Sequence, residues 1–425
     1  MRLRQDRATR WQQVPDGYRD LGPAEAERRS ALASRLREQF ARWGYREVVT
    51  PTLEFLETIV HGTGPGIEDQ LVKVIDGAAV LALRPEMTVP IARLAAMRLL
   101  RSAAGPLRLC YVAPVFRSQE RGLGRLREFT QAGVELLGAP SPDGDAEVIA
   151  LAVESLRAAG VPGTTIRLGH LGLLNDLLQE LPEGLQADVR ARLYRREFVG
   201  IGNAALDGPP ARLLRALPEL HGLDGLERAR EFATSPTSRG ALRELEGVAE
   251  QLRAYGVADA VEIDLSVIRD FSYYTGIVFE AHGQGAGYPL LGGGRYDTLL
   301  ARFDADCPAT GFALGLERVL AAAPEEPVES RDLILVADER SRLQVVRLAA
   351  DLRGAGLRVL VATGMDWPAV LRWAEACGVT KVVRVVSEEM WLYDATTRRE
   401  SLITRNQLLI SLTPQSEPRV VAWSH

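Results

Sequence analysis

The feature that most limits how this chain can fold is a break in its hydrophobic pattern at residues 321–330 (AAAPEEPVES). This segment carries two prolines and three glutamates and shows neither a helical nor a strand period, which is typical of a linker. A chain of 425 residues also exceeds what one hydrophobic core usually serves. The sequence therefore predicts a large domain at residues 1–320, a linker at 321–330 and a small domain at 331–425.

The large domain shows the pattern of an antiparallel sheet. Residues 107–116 and 128–137 have strand character and enclose a loop rich in glycine and arginine, which predicts a hairpin with a long connection. A second hairpin is predicted around the Asp76-Gly77 turn signal. Further elements are expected as a helix at residues 24–43, strands at 164–169, 261–267 and 275–282, and a helix at 312–320.

Two other stretches complete the expected architecture. Residues from about 171 to 255 have helical periodicity broken by glycines and prolines, which predicts a helical insertion. Residues 332–386 alternate strand, helix, strand, helix and strand, the order of a small α/β domain with a parallel sheet. The sequence as a whole therefore predicts an α+β fold with an antiparallel sheet flanked by helices and a small C-terminal α/β domain.

Composition argues against several classes of protein. The net charge is -5, whereas a surface that binds nucleic acid is normally basic, so a nucleic-acid partner is not expected. The longest apolar runs fall far short of the roughly 20 residues of a membrane helix, and the first 15 residues lack the apolar stretch of a secretory signal. We expect a cytoplasmic protein. The scattered histidines and cysteines predict neither a metal site nor a cofactor.

The connection between the two long predicted strands concentrates positive charge. It carries Arg117, Arg121, Arg125 and Arg127 around two glycines. Guanidinium groups bind oxyanions through paired hydrogen bonds, and glycines let backbone amides approach a ligand, so the loop suits a polyphosphate or carboxylate. A solvated, charged hairpin explains the same spacing equally well.

Two pairs of polar residues are candidates for a ligand pocket. Glu86 and Thr88 open the helix expected after Pro85, while Gln131 and Glu135 lie four residues apart on one strand and so share a face. Acidic and amide groups are costly to bury unless a ligand or partner satisfies them. The pattern indicates a polar ligand, with an edge strand exposed to solvent as the alternative.

The adjacent Tyr273 and Tyr274 precede a predicted strand. Neighbouring side chains of a strand point to opposite faces, so one tyrosine is expected in the core and the other in a pocket. The glycine triplet at residues 292–294 is expected to form either a turn or bulge or a ligand-binding loop.

The order of these segments resembles the core of class II aminoacyl-tRNA synthetases of the histidyl type, over about residues 16–320. Residues 50–54 (TPTLE) look like the end of the family's dimer-forming first motif, residues 116–131 like the second and residues 315–318 (GLER) like the third. Segments peculiar to histidine-specific members are resembled by residues 84–88 (RPEMT), 131–135 (QAGVE), 273–276 (YYTG) and 293–297 (GGRYD). The resemblance implies the class II synthetase variant of the α+β fold.

The resemblance also implies two sets of site residues. In this family carboxylates receive the ammonium and imidazole N–H groups of free histidine, and a tyrosine closes one side of the pocket. The implied histidine-binding residues are Glu86, Thr88, Gln131, Glu135, Arg269, Tyr273 and Tyr274. The implied vestigial ATP or phosphate site consists of Arg117, Gln119, Arg127 and Arg318.

Departures from the synthetase pattern indicate one branch of the family. Gln119 stands where an active enzyme would carry the glutamate that helps to hold adenine, and Ser272 replaces an expected aspartate. Residues 271–277 (FSYYTGI) and 307–312 (CPATGF) look more like regulatory subunits of ATP phosphoribosyltransferase. That resemblance implies a dimer with no catalytic residues, histidine as effector, and a short-form catalytic subunit of ATP phosphoribosyltransferase as partner.

An active histidyl-tRNA synthetase remains the alternative, because Arg117, Arg269 and Arg318 are all present. The C-terminal domain counts against it. Residues 331–425 contain 13 basic and 11 acidic residues, a weak electrostatic footprint for an anticodon-binding unit. The aromatic residues of this domain are dispersed, which does not favour base stacking either.

Overall fold

The computed structural model describes residues 10–64, 66–118, 126–194, 197, 208–268, 273–283, 288–324, 332–386 and 389–412. The chain separates into two compact units, Met1–Glu325 and Glu326–His425. Across the described ranges, no helix has the length and apolar character needed to cross a membrane.

An eight-stranded, largely antiparallel sheet forms the centre of the first unit. Its strands lie in the order β1-β5-β6-β11-β10-β9-β7-β8, and only the β1–β5 and β7–β8 pairs are parallel. The α+β class predicted from the sequence is confirmed. The strands are β1 (Arg46–Glu47), β5 (Leu107–Phe116), β6 (Glu128–Leu137), β7 (Thr165–His170), β8 (Val261–Ile263), β9 (Ile277–His282), β10 (Leu291–Arg295) and β11 (Ala309–Gly315).

The predicted hairpin of β5 and β6 has the expected bounds. The two strands pair over their full length of ten residues, from Leu107 opposite Leu137 to Phe116 opposite Glu128. Strand β6 is buried on both of its faces, since its last eight residues are all shielded from solvent.

The helix predicted at residues 312–320 is wrong in its first half. Strand β11 continues to Gly315, and helix α10 (Leu316–Ala322) begins only afterwards. The strand pairs with β6 on one side and with β10 on the other. Gly293 of β10 lies directly opposite Phe312, and a Cβ at this glycine would come within 2.3 Å of the Gly311 carbonyl oxygen. The glycine triplet therefore forms a strand that neighbouring backbone approaches closely.

Helices α1 (Pro23–Arg42) and α4 (Asp143–Ala158) flank the large sheet. Helix α1 buries Leu32, Leu36 and Phe40 at helical spacing, and the Phe40 ring meets Phe312 of β11 edge-on at 6.1 Å between centroids. Asp145 lies inside α4 and is fully buried. Its carboxylate pairs with Arg295 of β10, because a buried charge requires an opposite charge.

A small three-stranded sheet leads to the helix that follows Pro85. Its strands are β2 (Leu53–Phe55), β3 (Lys73–Asp76) and β4 (Ala79–Leu83), in the order β2-β4-β3. The predicted hairpin around Asp76-Gly77 is confirmed, and Gly77 adopts the left-handed φ of 60° that the turn requires. Helix α2 (Leu56–Thr63) follows β2, and helix α3 (Thr88–Leu94) follows β4.

Among the described residues between β7 and β8, the regular secondary structure is helical. Its helices are α5 (Leu171–Gln179), α6 (Glu183–Tyr194), α7 (Pro209–Ala216), α8 (Gly222–Phe232) and α9 (Pro236–Ala254). The strand expected at residues 261–267 is shorter than predicted, because Asp264 already accepts hydrogen bonds from the Ser266 N–H and hydroxyl in a turn.

The second unit contains a five-stranded sheet in the order β13-β12-β14-β15-β16. Apolar clusters lie on both faces, around Leu335 and Val345 on one and around Ile334 and Val370 on the other. The predicted alternation of strands and helices is present, and an antiparallel extension follows it. The elements are β12 (Asp332–Ala337), α11 (Arg342–Gly354), β13 (Arg358–Ala362), α12 (Trp367–Ala376), β14 (Lys381–Val386), β15 (Glu389–Asp394), β16 (Arg399–Leu402) and α13 (Arg405–Leu412).

Candidate functional site

A polar cavity of about 120 Å³ lies over the central strands β6, β10 and β11 and beside the start of α3. Six of the seven residues expected to bind histidine line it, together with two of the expected arginines. The predicted residues that the structure brings together here are Glu86, Thr88, Gln131, Glu135, Tyr273, Tyr274, Arg117 and Arg318.

Glu86 occupies the beginning of α3, where the first backbone N–H groups have no helical partner. The Thr88 N–H donates to its Oε2 at 2.6 Å, and the Val89 N–H donates to its Oε1 at 2.9 Å. Burial raises the pKa of this carboxyl, and these two hydrogen bonds oppose the rise. Glu86 therefore fixes the first turn of α3 and places its carboxyl group at the cavity.

Glu135 lies on β6 and is almost completely shielded from solvent. The Thr88 hydroxyl donates to its Oε1 at 2.8 Å, and the Tyr296 hydroxyl donates to its Oε2. Burial raises the pKa of Glu135 to about 8, since two hydroxyl donors compensate for only part of the lost hydration. The positive charge of Arg117 also opposes the rise in the pKa of Glu86.

Gln131 lies four residues before Glu135 on β6, so the two side chains are on the same face of the strand. Its side chain is buried, and its Oε1 has no hydrogen-bond partner among the described residues. The hydroxyl of Tyr111, on the neighbouring strand β5, is likewise buried without a described partner. An unsatisfied buried polar atom costs about 1–3 kcal/mol, so a ligand that bonds to Gln131 gains that contribution.

Tyr273 and Tyr274 both line the cavity. The expectation that one of them would pack in the core apart from the pocket is wrong, because they precede β9 instead of belonging to it. Their rings lie 4.8 Å apart, and Tyr273 also meets Tyr296 edge-on at 5.8 Å. The three rings form an aromatic wall beside the carboxylates.

Arg117 and Arg318 reach the cavity from different elements. The Nε of Arg117 donates to the Pro85 carbonyl oxygen at 2.9 Å, and its guanidinium lies 5.4 Å from the centre of the Phe129 ring. The Nη1 of Arg318, in α10, donates to the Pro289 carbonyl oxygen at 2.9 Å. A backbone carbonyl therefore helps to hold each guanidinium beside the cavity.

The remaining predicted residues are Arg127, Gln119 and Arg269. Arg127 does not line the cavity: its N–H donates to the Gly17 carbonyl oxygen at 2.7 Å, and its side chain packs against Gly17. Gln119 and Arg269 lie outside the described residues. Sequence reasoning missed Tyr296 as a site residue, although its segment had been singled out; the signal was its position beside the glycine triplet.

No group of three or more histidine, cysteine, aspartate or glutamate side chains that could hold a metal ion occurs within the described ranges. The cavity instead offers carboxylates, an amide, hydroxyls and two guanidinium groups. This set suits a small ligand that carries both N–H donors and an anionic group.

Comparison with known sequences gives a consistent picture. Residues 17–319 match the histidyl-tRNA synthetase family. An ATP phosphoribosyltransferase regulatory subunit of Moorella thermoacetica is 46% identical over 358 residues, which cover 82% of this chain and 92% of that protein. The corresponding subunit of Symbiobacterium thermophilum is 41% identical and covers 88% of this chain and 96% of that protein.

Solved structures agree with the fold. The crystal structure of an ATP phosphoribosyltransferase regulatory subunit/histidyl-tRNA synthetase from Bacillus halodurans aligns with a TM-score of 0.78 at 33% identity, over 88% of this chain and 97% of that chain. A histidyl-tRNA synthetase from Nostoc sp. PCC 7120 aligns with a TM-score of 0.82 at 20% identity, over 94% of this chain and 98% of that chain. The second likeness concerns the fold alone.

Proposed function

This chain belongs to the regulatory subunits of ATP phosphoribosyltransferase, within the histidyl-tRNA synthetase family, and from this premise we propose that it is a non-catalytic histidine sensor. It binds histidine in the cavity over β6, β10 and β11. It associates with a separate short-form catalytic subunit of ATP phosphoribosyltransferase in the cytoplasm. That partner needs it for activity and for feedback control of the first step of histidine biosynthesis.

The observation that carries the proposal is the pair of buried carboxylates, Glu86 and Glu135, at one small cavity. Free histidine brings an ammonium and an imidazole, two groups whose N–H donors suit two carboxylates. Gln131 offers an unused amide oxygen, and the tyrosine wall offers apolar contact for a ring. Arg269, from the family resemblance, and Arg117 are assigned to the ligand's carboxylate.

Regulation requires that histidine bind the active and the inhibited assemblies with different affinity, because only a difference in affinity shifts an equilibrium between them. A tenfold difference corresponds to about 1.4 kcal/mol. The segment from Arg84 to Thr88 suits this role, since it carries Glu86 and joins β4 to the first turn of α3.

We also propose that two copies associate through the region of the first motif. The small sheet β2-β4-β3 turns Leu53, Phe55 and Val74 to one face, and all three side chains are exposed. Val49, just before β2, is 87% exposed. Such an apolar face on a single chain favours burial against a second copy of the same surface.

The first experiment is calorimetric titration of the full-length protein with histidine, followed by activity assays of the short-form catalytic subunit from the same genome. We expect one histidine site per chain, with binding strongly weakened by Glu135→Gln and unchanged by Glu38→Gln on the exposed side of α1. Adding the regulatory chain should raise the turnover of the catalytic subunit, and adding histidine afterwards should lower it. A catalytic subunit whose turnover does not change when this chain is added would contradict the proposal.

An active histidyl-tRNA synthetase is the second candidate, favoured by the presence of Arg117 and Arg318 at the same cavity as Glu86. Histidine-dependent exchange between ATP and pyrophosphate separates the two functions. Exchange at the rate of a synthetase would overturn the regulatory proposal. Histidine binding without exchange would exclude the synthetase and support a sensor, in line with Gln119 in place of the adenine-holding glutamate.

A further inference from the structure

A second cleft, of about 260 Å³, lies in the first unit away from the polar cavity. It is enclosed by the edge of the large sheet at β7 and β8, by α9, and by the first residues of α8. None of its lining residues belongs to the polar cavity. The lining residues are Leu168, Gly222, Leu223, Ala249, Leu252, Arg253, Ala258, Val261, Glu262 and Ile263.

The floor of this cleft is apolar and deep. Leu168 of β7 and Leu252 of α9 are fully buried, and Ile263 of β8 is nearly so. Leu223, in contrast, is 50% exposed, which is unusual for a leucine that lines a concave surface. The cleft therefore combines an apolar interior with an apolar side chain at its rim, as in sites that enclose the body of a small molecule.

Two charged residues line the cleft, and they differ in how they are neutralised. The Oε2 of Glu262 lies 3.8 Å from the Nε of Arg167, and the same guanidinium lies 3.8 Å from Asp264. Arg253 is exposed, and the described residues give its guanidinium no hydrogen bond or ion pair. Glu262 therefore shares one arginine with Asp264, whereas the guanidinium of Arg253 stands at the rim of the cleft with no described partner.

We propose that the cleft binds a small monocarboxylate with an apolar body, placing the body against the accessible Leu223, Ala249 and Val261 and the carboxylate on Arg253. The volume suits a ring or a branched chain of about ten heavy atoms. A guanidinium pairs with a carboxylate through two parallel hydrogen bonds, which orients the ligand with its apolar end inward. This inference is independent of histidine binding.

The probe for the test is 3-phenylpropionate, titrated into the full-length protein and followed by ligand-observed NMR. 3-Phenylpropan-1-ol has the same body without the charge, and acetate has the charge without the body. We expect saturable binding of 3-phenylpropionate, binding at least about fivefold weaker for the alcohol, and none for acetate. Equal binding of acid and alcohol, or no binding of the acid at about 10 mM, would overturn the proposal.

Variants locate the bound probe. Arg253→Gln should weaken 3-phenylpropionate about fivefold, whereas Arg253→Lys should retain most of the affinity because it keeps the charge. Arg243→Gln removes another exposed arginine of α9 that does not line the cleft, and it should change nothing. Binding equally affected by both glutamine variants would contradict the assignment.

Blocking variants test the apolar part of the cleft. Ala249→Phe fills the cleft from α9, and Ala258→Trp covers it from an exposed position that tolerates a large side chain. Either variant should abolish binding while circular dichroism and histidine affinity remain those of the parent. A probe that still binds both folded variants lies elsewhere, and the proposal then fails.

Discussion

The Thr88 hydroxyl donates a hydrogen bond of 2.8 Å to Oε1 of Glu135, joining the first residue of α3 to the middle of β6. The Thr88 N–H at the same time donates to Glu86. One threonine thus connects the two carboxylates of the polar cavity, so a change in the charge of either acid alters the hydrogen bonding of a residue that serves both.

Glu135→Gln should leave the fold intact and weaken histidine binding at least about tenfold. The amide oxygen still accepts from one of the two hydroxyls, but glutamine cannot lose a proton and so cannot supply the negative charge that a bound cationic group would stabilise. Calorimetry measures the change, with Glu38→Gln as the control for loss of a glutamate elsewhere. Unchanged affinity in a folded Glu135→Gln protein would remove this residue from the site.

The pH dependence of stability should carry the signature of Glu135. Its pKa is about 8 in the folded protein and 4.5 when unperturbed, so between these values the folded state binds more protons than the unfolded state. The stability that Glu135 contributes is thus complete below pH 4.5 and is lost as pH rises through 8. The free energy of unfolding should fall by up to about 1.4 kcal/mol per pH unit relative to Glu135→Gln. Urea unfolding of both proteins at pH 5 to 8 measures this; parallel curves would contradict it.

Gly311→Ala should disrupt the cavity. A Cβ at this position would lie 2.1 Å from Oε2 of Glu135 and 2.4 Å from the backbone oxygen of Val134, so the strand pair β6–β11 must separate or the carboxylate must move. We expect a loss of about 1–3 kcal/mol in stability together with loss of histidine binding. Gly240→Ala inside α9 is the matched control, because its Cβ meets nothing closer than 4.0 Å and should stabilise the helix by about 0.5–1 kcal/mol. A Gly311→Ala protein of unchanged stability would contradict this prediction, because it would show that the strands separate at no measurable cost.

Arg295→Met should destabilise the first unit by about 3–5 kcal/mol, because it leaves the Asp145 carboxylate buried without its partner at 2.9 Å. The double variant Arg295→Met with Asp145→Leu should recover part of that loss. Arg384→Met, which breaks an exposed pair with Glu400, should change stability by less than about 1 kcal/mol. Thermal or urea unfolding distinguishes these outcomes, and similar losses for both arginines would be inconsistent with the burial of Arg295.

Phe55→Asp should convert the proposed dimer into a monomer. The side chain is 59% exposed on the outer face of β2, so a charge there is harmless to a single chain and disfavours burial against a second copy. Sedimentation equilibrium gives the mass. Leu343→Asp, on an exposed part of α11, is the control and should leave the mass unchanged. A parent protein that sediments as a monomer would contradict the proposed association.

Local sequence signals predicted the elements that are formed by residues close together in the sequence. The bounds of β5 and β6 followed from the strand character of their residues, and the Asp76-Gly77 hairpin followed from its turn residues. Strand β11 was mistaken for a helix because its pairing with β6 joins residues more than 150 positions apart. The residues close to Phe312 in the sequence give no indication that β6 is its partner strand.

The same limit applies to the candidate site. Glu86, Gln131 and Glu135 were found because their types and spacing stand out, and the family resemblance grouped them. The contact of Tyr296 with Glu135 spans 161 residues, so no spacing rule indicated it. The pairing of Asp145 with Arg295 was not indicated either, because the two residues are 150 positions apart and become neighbours only in the folded chain.

The side chain of Arg84 connects three segments of the backbone near the polar cavity. Its buried guanidinium donates to the backbone oxygens of Thr50 and Pro51, ahead of the exposed small sheet, and to that of Pro114 in β5. Glu86 follows only two residues later. If two copies associate through the small sheet as we propose, displacement of that sheet would therefore be transmitted through Arg84 to the carboxyl group of Glu86 at the polar cavity.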